Sequence, residues 1–290
     1  MVLAGGEGTR VHELTQGKIP KALMTLDDGV THIDQLLDGL EVQGFRDFTF
    51  CLGVHADMIA EHLDNRQVRQ PDSRYKFSQE SIPLGTGGAI HRALNTQVTP
   101  LPFLLVTADA VFPYDEIPTL RTKHREGTVT WAVSEASVSS MGLHRDMIYD
   151  KESGAILQNA HRPWMGRKHM SQAALVQARA QELTLIDGGH GVIDPKLFDR
   201  VYRMVKQLFP DNQQVCWYKN MLPMIAEMTR RRVVKHTPPL LYGYVEIKPI
   251  LDMGTLETFR FANEELHKTE GFFSLVDPSR LLKNQNTVSR

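Results

Sequence analysis

The residues best suited to chemistry lie close to the amino terminus. An apolar start, Leu3-Ala4, breaks into Gly5-Gly6-Glu7-Gly8-Thr9-Arg10, and Pro20-Lys21 follows. Glycine adopts backbone conformations that other residues avoid, so this run predicts a buried strand that ends in a loop. Successive N–H groups of such a loop can point into one concavity and bind an anion. Arg10 adds a guanidinium fork and Lys21 a mobile ammonium, and both suit phosphate oxygens.

This loop differs from the two commonest phosphate-binding loops. A P-loop requires the string Gly-x-x-x-x-Gly-Lys-Ser/Thr, which the chain lacks, and the dinucleotide fingerprint requires a small residue where Val11 stands. A glycine-rich segment after a strand can also be a simple turn. Arg10 and the Pro20-Lys21 pair favour the anion site over that alternative.

Alternating strands and helices must position the loop. Apolar spacing predicts a helix over residues 31–42 with Thr31 as its N-cap, and a strand over 48–54 followed by another helix. Strand followed by helix, twice over, is typical of a parallel sheet. The run 103–107 is continuously apolar, as expected of a central strand, and Ala108-Asp109 follows it. Open parallel sheets bind ligands at that carboxyl edge.

The second half of the chain has a mixed pattern of shorter elements. A polar insertion over residues 161–181 carries several arginines, and Asp252 precedes a predicted helix over about 255–266. Further strands are predicted over 148–149, 155–158, 183–186, 192–193, 233–236 and 243–247, and further helices over 196–208 and 217–230.

Composition and charge place the chain in the globular class. It has 290 residues, 41% of them hydrophobic, which is enough to bury a large core. A net charge of −1 and a pI of about 6.9 leave no electrostatic footprint for nucleic acid or an anionic membrane, so neither partner is expected. Cys51 and Cys216 are far apart, which predicts two thiols in a reducing compartment. Because no apolar run reaches membrane length and no signal-type start is present, the sequence predicts a cytoplasmic protein.

The string Gly-Gly-x-Gly-Thr-Arg, with Pro-Lys further along, resembles the signature of the sugar-1-phosphate nucleotidyltransferases. These enzymes make nucleoside-diphosphate sugars from an NTP and a sugar 1-phosphate. The resemblance covers roughly residues 2–266. It implies an α/β fold with a Rossmann-like, doubly wound, mostly parallel mixed sheet in a single domain. That domain would span residues 1–270, with a nucleotide-binding half over about 1–135 and a sugar-binding half over about 136–254, before a tail over 271–290.

The resemblance implies a role for each matching residue on the nucleotide side. Arg10 and Lys21 would be the catalytic cations. Ala108-Asp109 resembles the family's Asn-Gly-Asp segment and residues 251–257 resemble its Asp-Ile-Gly-Thr-Pro-Glu segment, so Asp109 and Asp252 would bind Mg²⁺. In isolation, either aspartate could instead be a turn or helix-approach residue. The nucleotide-binding residues would be Leu3, Ala4, Gly5, Gly6, Gly8, Thr9, Glu80, Pro83, Gly85, Thr86 and Ala108.

Residues 80–89 resemble the segment with which the family recognises the nucleobase. Glu80 would there be an acceptor-only side chain, able to take hydrogen bonds from the N1–H and exocyclic amine of guanine. The same stretch looks like that of the heptose 1-phosphate guanylyltransferases. GTP is therefore the favoured nucleotide, with UTP, CTP and dTTP left open.

The sugar side matches the family less closely. Arg162 stands where the family has a lysine that holds the sugar phosphate, and Gly142 lies in a string that resembles a backbone segment with which the family touches the sugar. Asp187 and Gly189 belong to a string that replaces the family's usual Asn-Ala-Gly-Ile-Tyr. These four residues are the predicted substrate-binding positions, and they leave the identity of the sugar open.

Two other functional classes are alternatives. A non-catalytic regulatory subunit that binds nucleotide sugars could use the same fold, but the retention of Arg10, Lys21, Asp109 and Asp252 argues against it. A plain glycosyltransferase would require an Asp-x-Asp-like metal motif, and the chain has Asp109-Ala110-Val111 instead. Self-association into a homo-oligomer is left open.

Overall fold

A nine-stranded mixed sheet runs through the protein, seen here in a computed structural model that describes residues 1–25, 29–96, 101–134, 145–159, 182–246, 251–252 and 255–264. The strands are β1 (Val2–Leu3), β2 (Asp47–Leu52), β3 (Arg74–Gln79), β4 (Phe103–Thr107), β5 (Ala110–Val111), β6 (Val129–Ser134), β7 (Arg145–Asp150), β8 (Ala155–Asn159), β9 (Glu182–Ile193), β10 (Leu241–Glu246) and β11 (Leu251–Asp252). The α-helices are α1 (His12–Thr15), α2 (His32–Val42), α3 (Ala56–Arg69), α4 (Gly85–Thr96), α5 (Ile117–Lys123), α6 (Pro195–Leu208), α7 (Leu222–Val234) and α8 (Leu256–Glu264).

The strand order of the large sheet is β3-β2-β1-β4-β9-β6-β10-β8-β7, and β5 and β11 form a separate ribbon. Strands β1 to β4 pair in parallel, as do β6 and β10. Every ladder made by β7, β8 or β9 is antiparallel. The predicted mixed sheet is found, but parallel pairing is confined to β1–β4 and to the β6–β10 pair, so the sheet is not mostly parallel. The reason is that the long strand β9 runs antiparallel between β4 and β6.

Helices cover both faces of the sheet. Successive residues of β4 alternate between two apolar clusters, with Leu104 and Val106 in one and Leu105 in the other, so the clusters lie on opposite faces. One cluster includes residues of α2, α3, α5 and α8, and the other includes residues of α4, α6 and α7. The predicted cap of α2 is found, since the Thr31 hydroxyl accepts a hydrogen bond from the Asp34 N–H at 3.2 Å.

Three of the predicted strands differ from the structure. The segments 183–186 and 192–193 belong to one 12-residue strand, β9, because its glycines permit close packing rather than ending it. A Cβ built on Gly188 would lie 2.7 Å from the Ala132 carbonyl oxygen on β6. The predicted strand over 233–236 is wrong, because α7 continues to Val234, and two residues later His236 has a left-handed φ of 53°. The β-branched pair Val233-Val234 favoured a strand, and helix packing overrides that preference.

Within the part of the chain that the structure describes, none of the helices combines the length and the apolar character needed to cross a bilayer.

Candidate active site

A cavity of about 880 Å³ lies at the carboxyl ends of the parallel strands. Each of these strands delivers into it the residues that follow its last position. They are residues 4–10 after β1, 53–54 after β2, 80–83 after β3 and 108–109 after β4. The cavity therefore lies where open parallel sheets bind ligands.

The amino-terminal glycine loop forms one wall of the cavity and packs tightly against its neighbours. Gly8 has a φ of 66°, a left-handed conformation that favours glycine, and a Cβ there would lie 3.6 Å from the Cβ of Lys21. A Cβ on Gly5 would lie 2.9 Å from the Gly53 nitrogen. Gly8 is thus required by its backbone conformation, and at Gly5 the loop approaches the end of β2 more closely than a larger residue would allow.

Lys21 and Asp109 form an ion pair in the cavity, and the ammonium donates a hydrogen bond to Asp109 Oδ2. The side chains are 13% and 24% exposed, so both can reach a bound ligand. Burial alone would raise the pKa of Asp109, but the Lys21 charge and hydrogen bonds from Lys21 and Thr107 lower the pKa on balance. Asp109 is consequently a carboxylate at neutral pH.

The backbone of Asp252 lies close in space to that of Asp109, although the two residues are far apart in the sequence. Strand β11 pairs antiparallel with β5, and this pairing places Asp252 opposite Ala110, the residue after Asp109. For Asp252 the structure describes the position of the backbone and not that of the side chain. No cluster of three or more potential metal-ligating His, Cys, Asp or Glu residues occurs among the described positions. An arrangement of one or two carboxylates suits Mg²⁺, whose remaining ligands are usually water and substrate phosphates.

Glu80 lies at the opposite side of the glycine loop from Asp109, just after β3. Its Oε2 accepts a hydrogen bond from the Leu84 N–H at 3.0 Å, which fixes the carboxylate. Its Oε1 lies 3.1 Å from where a Cβ on Gly53 would be. Burial raises the pKa of Glu80, although the Leu84 N–H and Arg92 oppose the shift. The carboxylate is thus held rigidly at the wall of the cavity.

The far wall of the cavity is formed by residues 214–219, a segment that the sequence did not mark as part of the site. The start of α4 is joined to it by hydrogen bonds from Val215 N to Leu84 O at 2.9 Å and from Gly88 N to Val215 O at 3.0 Å. The Trp217 N–H also donates to the Thr86 hydroxyl at 2.8 Å. Gln214 and Lys219 from this segment line the cavity. No motif marks these residues, because their contacts with residues 84–88 are distant in sequence.

The structure brings together the residues predicted for the nucleotide side. Arg10, Lys21 and Asp109 line the cavity, as do all the predicted nucleotide-binding residues: Leu3, Ala4, Gly5, Gly6, Gly8, Thr9, Glu80, Pro83, Gly85, Thr86 and Ala108. The described lining carries three cations and three carboxylates, namely Arg10, Lys21, Lys219, Glu7, Glu80 and Asp109.

The predicted sugar-side residues are placed differently. Gly142 and Arg162, like the insertion over 161–181, lie outside the described residues. Asp187 and Gly189 lie on β9 and are not among the described residues that line the cavity. Asp187 Oδ1 accepts hydrogen bonds from Trp131 Nε1 at 2.7 Å and from the Gly189 N–H at 2.8 Å. Their assignment to the sugar site stays a prediction.

The fold is that of the nucleotide-diphospho-sugar transferases. The structure resembles HddC from Yersinia pseudotuberculosis with a TM-score of 0.61 and 20% identity, covering 91% of this chain and 97% of that chain. It also resembles the inositol-1-phosphate CTP transferase from T. maritima, with a TM-score of 0.63 and 14% identity, covering 97% of this chain and 94% of that one.

Comparison of the sequence with protein families identifies the family to which the chain belongs. The model of the MobA-like NTP transferase domain matches residues 1–237, and the chain belongs to this family. The catalytic subunit beta of mannose-1-phosphate guanylyltransferase from Dictyostelium discoideum is 24% identical over 229 residues, which are 74% of this chain. That match spans 57% of the Dictyostelium protein. The resemblance to nucleotidyltransferases predicted from the sequence is thereby confirmed.

Proposed function

We propose that the protein transfers a nucleoside monophosphate from an NTP, with GTP favoured, to a sugar 1-phosphate and releases pyrophosphate. One observation carries the proposal. The glycine loop, Arg10, Lys21, Asp109 and Glu80 line a single cavity at the carboxyl edge of the parallel strands. Loop amides and cations suit a triphosphate, and the carboxylate on the opposite side suits a base with hydrogen-bond donors.

In this reaction, an oxygen of the sugar 1-phosphate attacks the α-phosphorus of the NTP in line, and the bond to pyrophosphate breaks. The attacking phosphate is already an anion at neutral pH, so no general base is needed to create the nucleophile. The barrier comes from repulsion between two polyanions and from the charge that grows on the leaving group. The amides of the glycine loop, together with Arg10 and Lys21, would stabilise that charge.

The residues present fit a magnesium ion. Asp109 is ionised, lies at the edge of the sheet and is partly exposed. The backbone of Asp252 lies opposite Ala110, the residue that follows Asp109. Asp109 and Asp252 would hold the ion. When bound, it would neutralise phosphate charge and orient the triphosphate.

Glu80 would set the preference for the base. Its fixed carboxylate can accept hydrogen bonds from the N1–H and exocyclic amine of guanine, donors that uracil and cytosine do not present in the same pattern. The name of the Dictyostelium relative, a guanylyltransferase, supports the same choice. On the sugar side we propose Gly142, Arg162, Asp187 and Gly189. The nucleotidyltransferase domain would extend over residues 1–270, and residues 271–290 would be a tail.

A pyrophosphate-release screen tests the proposal directly. The four common NTPs would be combined with a panel of hexose and heptose 1-phosphates in the presence of Mg²⁺. We expect release with GTP and at least one sugar 1-phosphate, and loss of release in the Arg10→Ala variant. The Lys18→Ala variant removes an exposed cation outside the described cavity lining and is the matched control. Binding of nucleotide sugars without pyrophosphate release in any combination would favour the regulatory subunit and overturn the proposal.

A further inference from the structure

His190 and Glu246 form a buried pair that the proposed reaction does not use. Both side chains are 0% exposed, and His190 Nε2 lies 2.9 Å from Glu246 Oε1. The Nδ1–H of His190 donates to the Gly188 carbonyl at 2.8 Å. The imidazole also stacks on Phe112, with ring centroids 4.0 Å apart and an angle of 21°. The ring is therefore held by stacking on one face and by the hydrogen bond at Nδ1. Nε2 and both Glu246 carboxylate oxygens have no hydrogen-bond partner among the described residues, so each group faces mainly the other.

This geometry requires a proton between the two side chains. The Gly188 carbonyl can only accept, so Nδ1 carries a hydrogen, and in a neutral ring Nε2 then presents a lone pair. A lone pair facing an ionised carboxylate at hydrogen-bonding distance, away from water, would be repulsive. The contact is attractive when one proton is present, either on the imidazole or on the carboxyl group.

The pair lies behind the part of the cavity wall that carries Asp109. A Cβ on Gly189, the neighbour of His190, would lie 3.6 Å from both Ala110 Cβ and Thr107 Oγ1, on either side of Asp109. Phe112, on which the imidazole stacks, follows β5 immediately. Glu246 is the last residue of β10, and the next strand in the sequence is β11, which pairs with β5. The two side chains thus connect β9, behind this part of the cavity, to the end of β10.

We propose that His190 and Glu246 are positioning residues, which hold one shared proton and thereby fix the β5–β11 ribbon and the backbone of Asp109 and Asp252. The contribution of His190 and Glu246 to catalysis rests on the proposed function, whereas their effect on the order of the β5–β11 ribbon does not. The other charged groups that act on the pair are Asp187 on β9 and Asp115 and Glu116 before α5. All of them are acids, and they favour retention of the proton.

The electrostatics agree with a shared proton. Burial alone would lower the pKa of His190, but the negative charge of the adjacent Glu246 and the hydrogen bond to the Gly188 carbonyl raise the pKa overall. Burial raises the pKa of Glu246. Above the ordinary histidine pKa of 6.5, the unfolded chain loses this proton while the folded pair keeps it. The stabilisation by the pair is therefore complete below about pH 6.5 and is lost as the pH rises through the pKa of the folded pair.

Hydrogen exchange of the ribbon amides tests the proposal without relying on activity. In the wild type, after correction for intrinsic exchange, we expect protection of residues 110–112 and 251–252 to fall by up to about tenfold per pH unit as the pair loses its proton. In Glu246→Gln, the amide can donate to the His190 lone pair without a titrating proton, so protection should not depend on pH. In Glu246→Ala, protection should be low at every pH, and more Mg²⁺ should be needed for half-maximal activity.

The control is Asp47→Asn, which breaks an exposed ion pair with Arg74 far from the ribbon and should leave its protection unchanged. Identical pH dependence of ribbon protection in the wild type and in Glu246→Gln would overturn the proposal, whatever happens to Glu246→Ala. So would a Glu246→Ala protein that is less stable overall but retains wild-type ribbon protection, because the pair would then serve only the core. A protein with no transferase activity would refute the proposed function and leave the exchange experiment decisive for the ribbon.

Discussion

The Lys21 ammonium and the Asp109 carboxylate are joined in one ion pair although 88 residues separate them in the sequence. The pair combines a cation suited to phosphate with an acid suited to a metal ion at one point of the cavity. It also balances the charge of Lys21 in the free protein. Arg10 and Lys219 also line this cavity, and neither forms an ion pair with another residue that the structure describes.

Replacing Lys21 with alanine should reduce turnover more than substrate binding. The ammonium would stabilise charge that develops in the transition state, and loss of one such group typically lowers kcat by about 10²–10³-fold. Steady-state kinetics would separate kcat from KM, with Lys18→Ala as the control. An unchanged kcat would remove Lys21 from the mechanism.

Replacing Asp109 with asparagine should weaken the dependence of activity on Mg²⁺. The variant keeps the size of the side chain but loses the charge that would hold the cation, so the half-saturating Mg²⁺ concentration should rise by at least about tenfold. A Mg²⁺ titration at saturating NTP measures this, with the exposed Asp64→Asn variant on α3 as the control. A normal metal dependence would show that Asp109 is not a ligand.

Glu80→Gln should reduce selectivity for GTP. The amide replaces one acceptor with a donor, and a hydrogen bond to a charged group is typically worth about 1.5–3 kcal/mol, or roughly 10–100-fold in kcat/KM. The kcat/KM values for UTP and CTP should change little. Parallel kinetics with the NTPs check the prediction, and the exposed Glu61→Gln variant controls for loss of charge. Equal losses for all NTPs would contradict base recognition by Glu80.

Lys219→Ala should weaken binding of triphosphate and pyrophosphate but not of the monophosphate. Lys219 is exposed at the cavity wall, so its attraction to a phosphate is screened and should be worth up to about 1 kcal/mol, or roughly fivefold in Kd. Calorimetric titrations with GTP, pyrophosphate and GMP would show the difference, and Lys235→Ala is the exposed control. Equal weakening of GMP and GTP binding would place Lys219 away from the outer phosphates.

Protonation of His32 in the unfolded chain should lower the free energy of unfolding in mild acid. The residue is 2% exposed, neither ring nitrogen has a hydrogen-bond partner in the described part of the chain, and burial lowers its pKa to about 4 despite the opposing charge of Asp109. The unfolded chain gains a proton below the ordinary pKa of 6.5, whereas the folded chain does so only near 4. The free energy of unfolding should therefore fall by up to about 1.4 kcal/mol per pH unit between these values.

Urea unfolding across that range would compare the wild type with His32→Leu, which cannot titrate. The difference between the two free energies should change with pH below 6.5, because other acids contribute equally to both proteins. A difference that is constant with pH would mean that His32 is protonated equally in the folded and unfolded states.

The sequence alone determined the features that depend on neighbouring residues. The glycine loop after β1, the apolar strand that ends before Asp109, and the Thr31 cap of α2 were all predicted, because turn, strand and cap preferences act over a few positions. The residues of the nucleotide side were named from the resemblance to the nucleotidyltransferases, which rests on short strings of adjacent residues, and they line one cavity.

The tertiary structure decided what depends on contacts between distant residues. It united β9 into one strand, paired β11 with β5, and packed Val215 against the start of α4. It also placed His190 against Glu246. Such contacts leave no periodic trace in the sequence, because they depend on which buried surfaces fit together, so only the folded chain shows that Lys219 shares a cavity with Arg10.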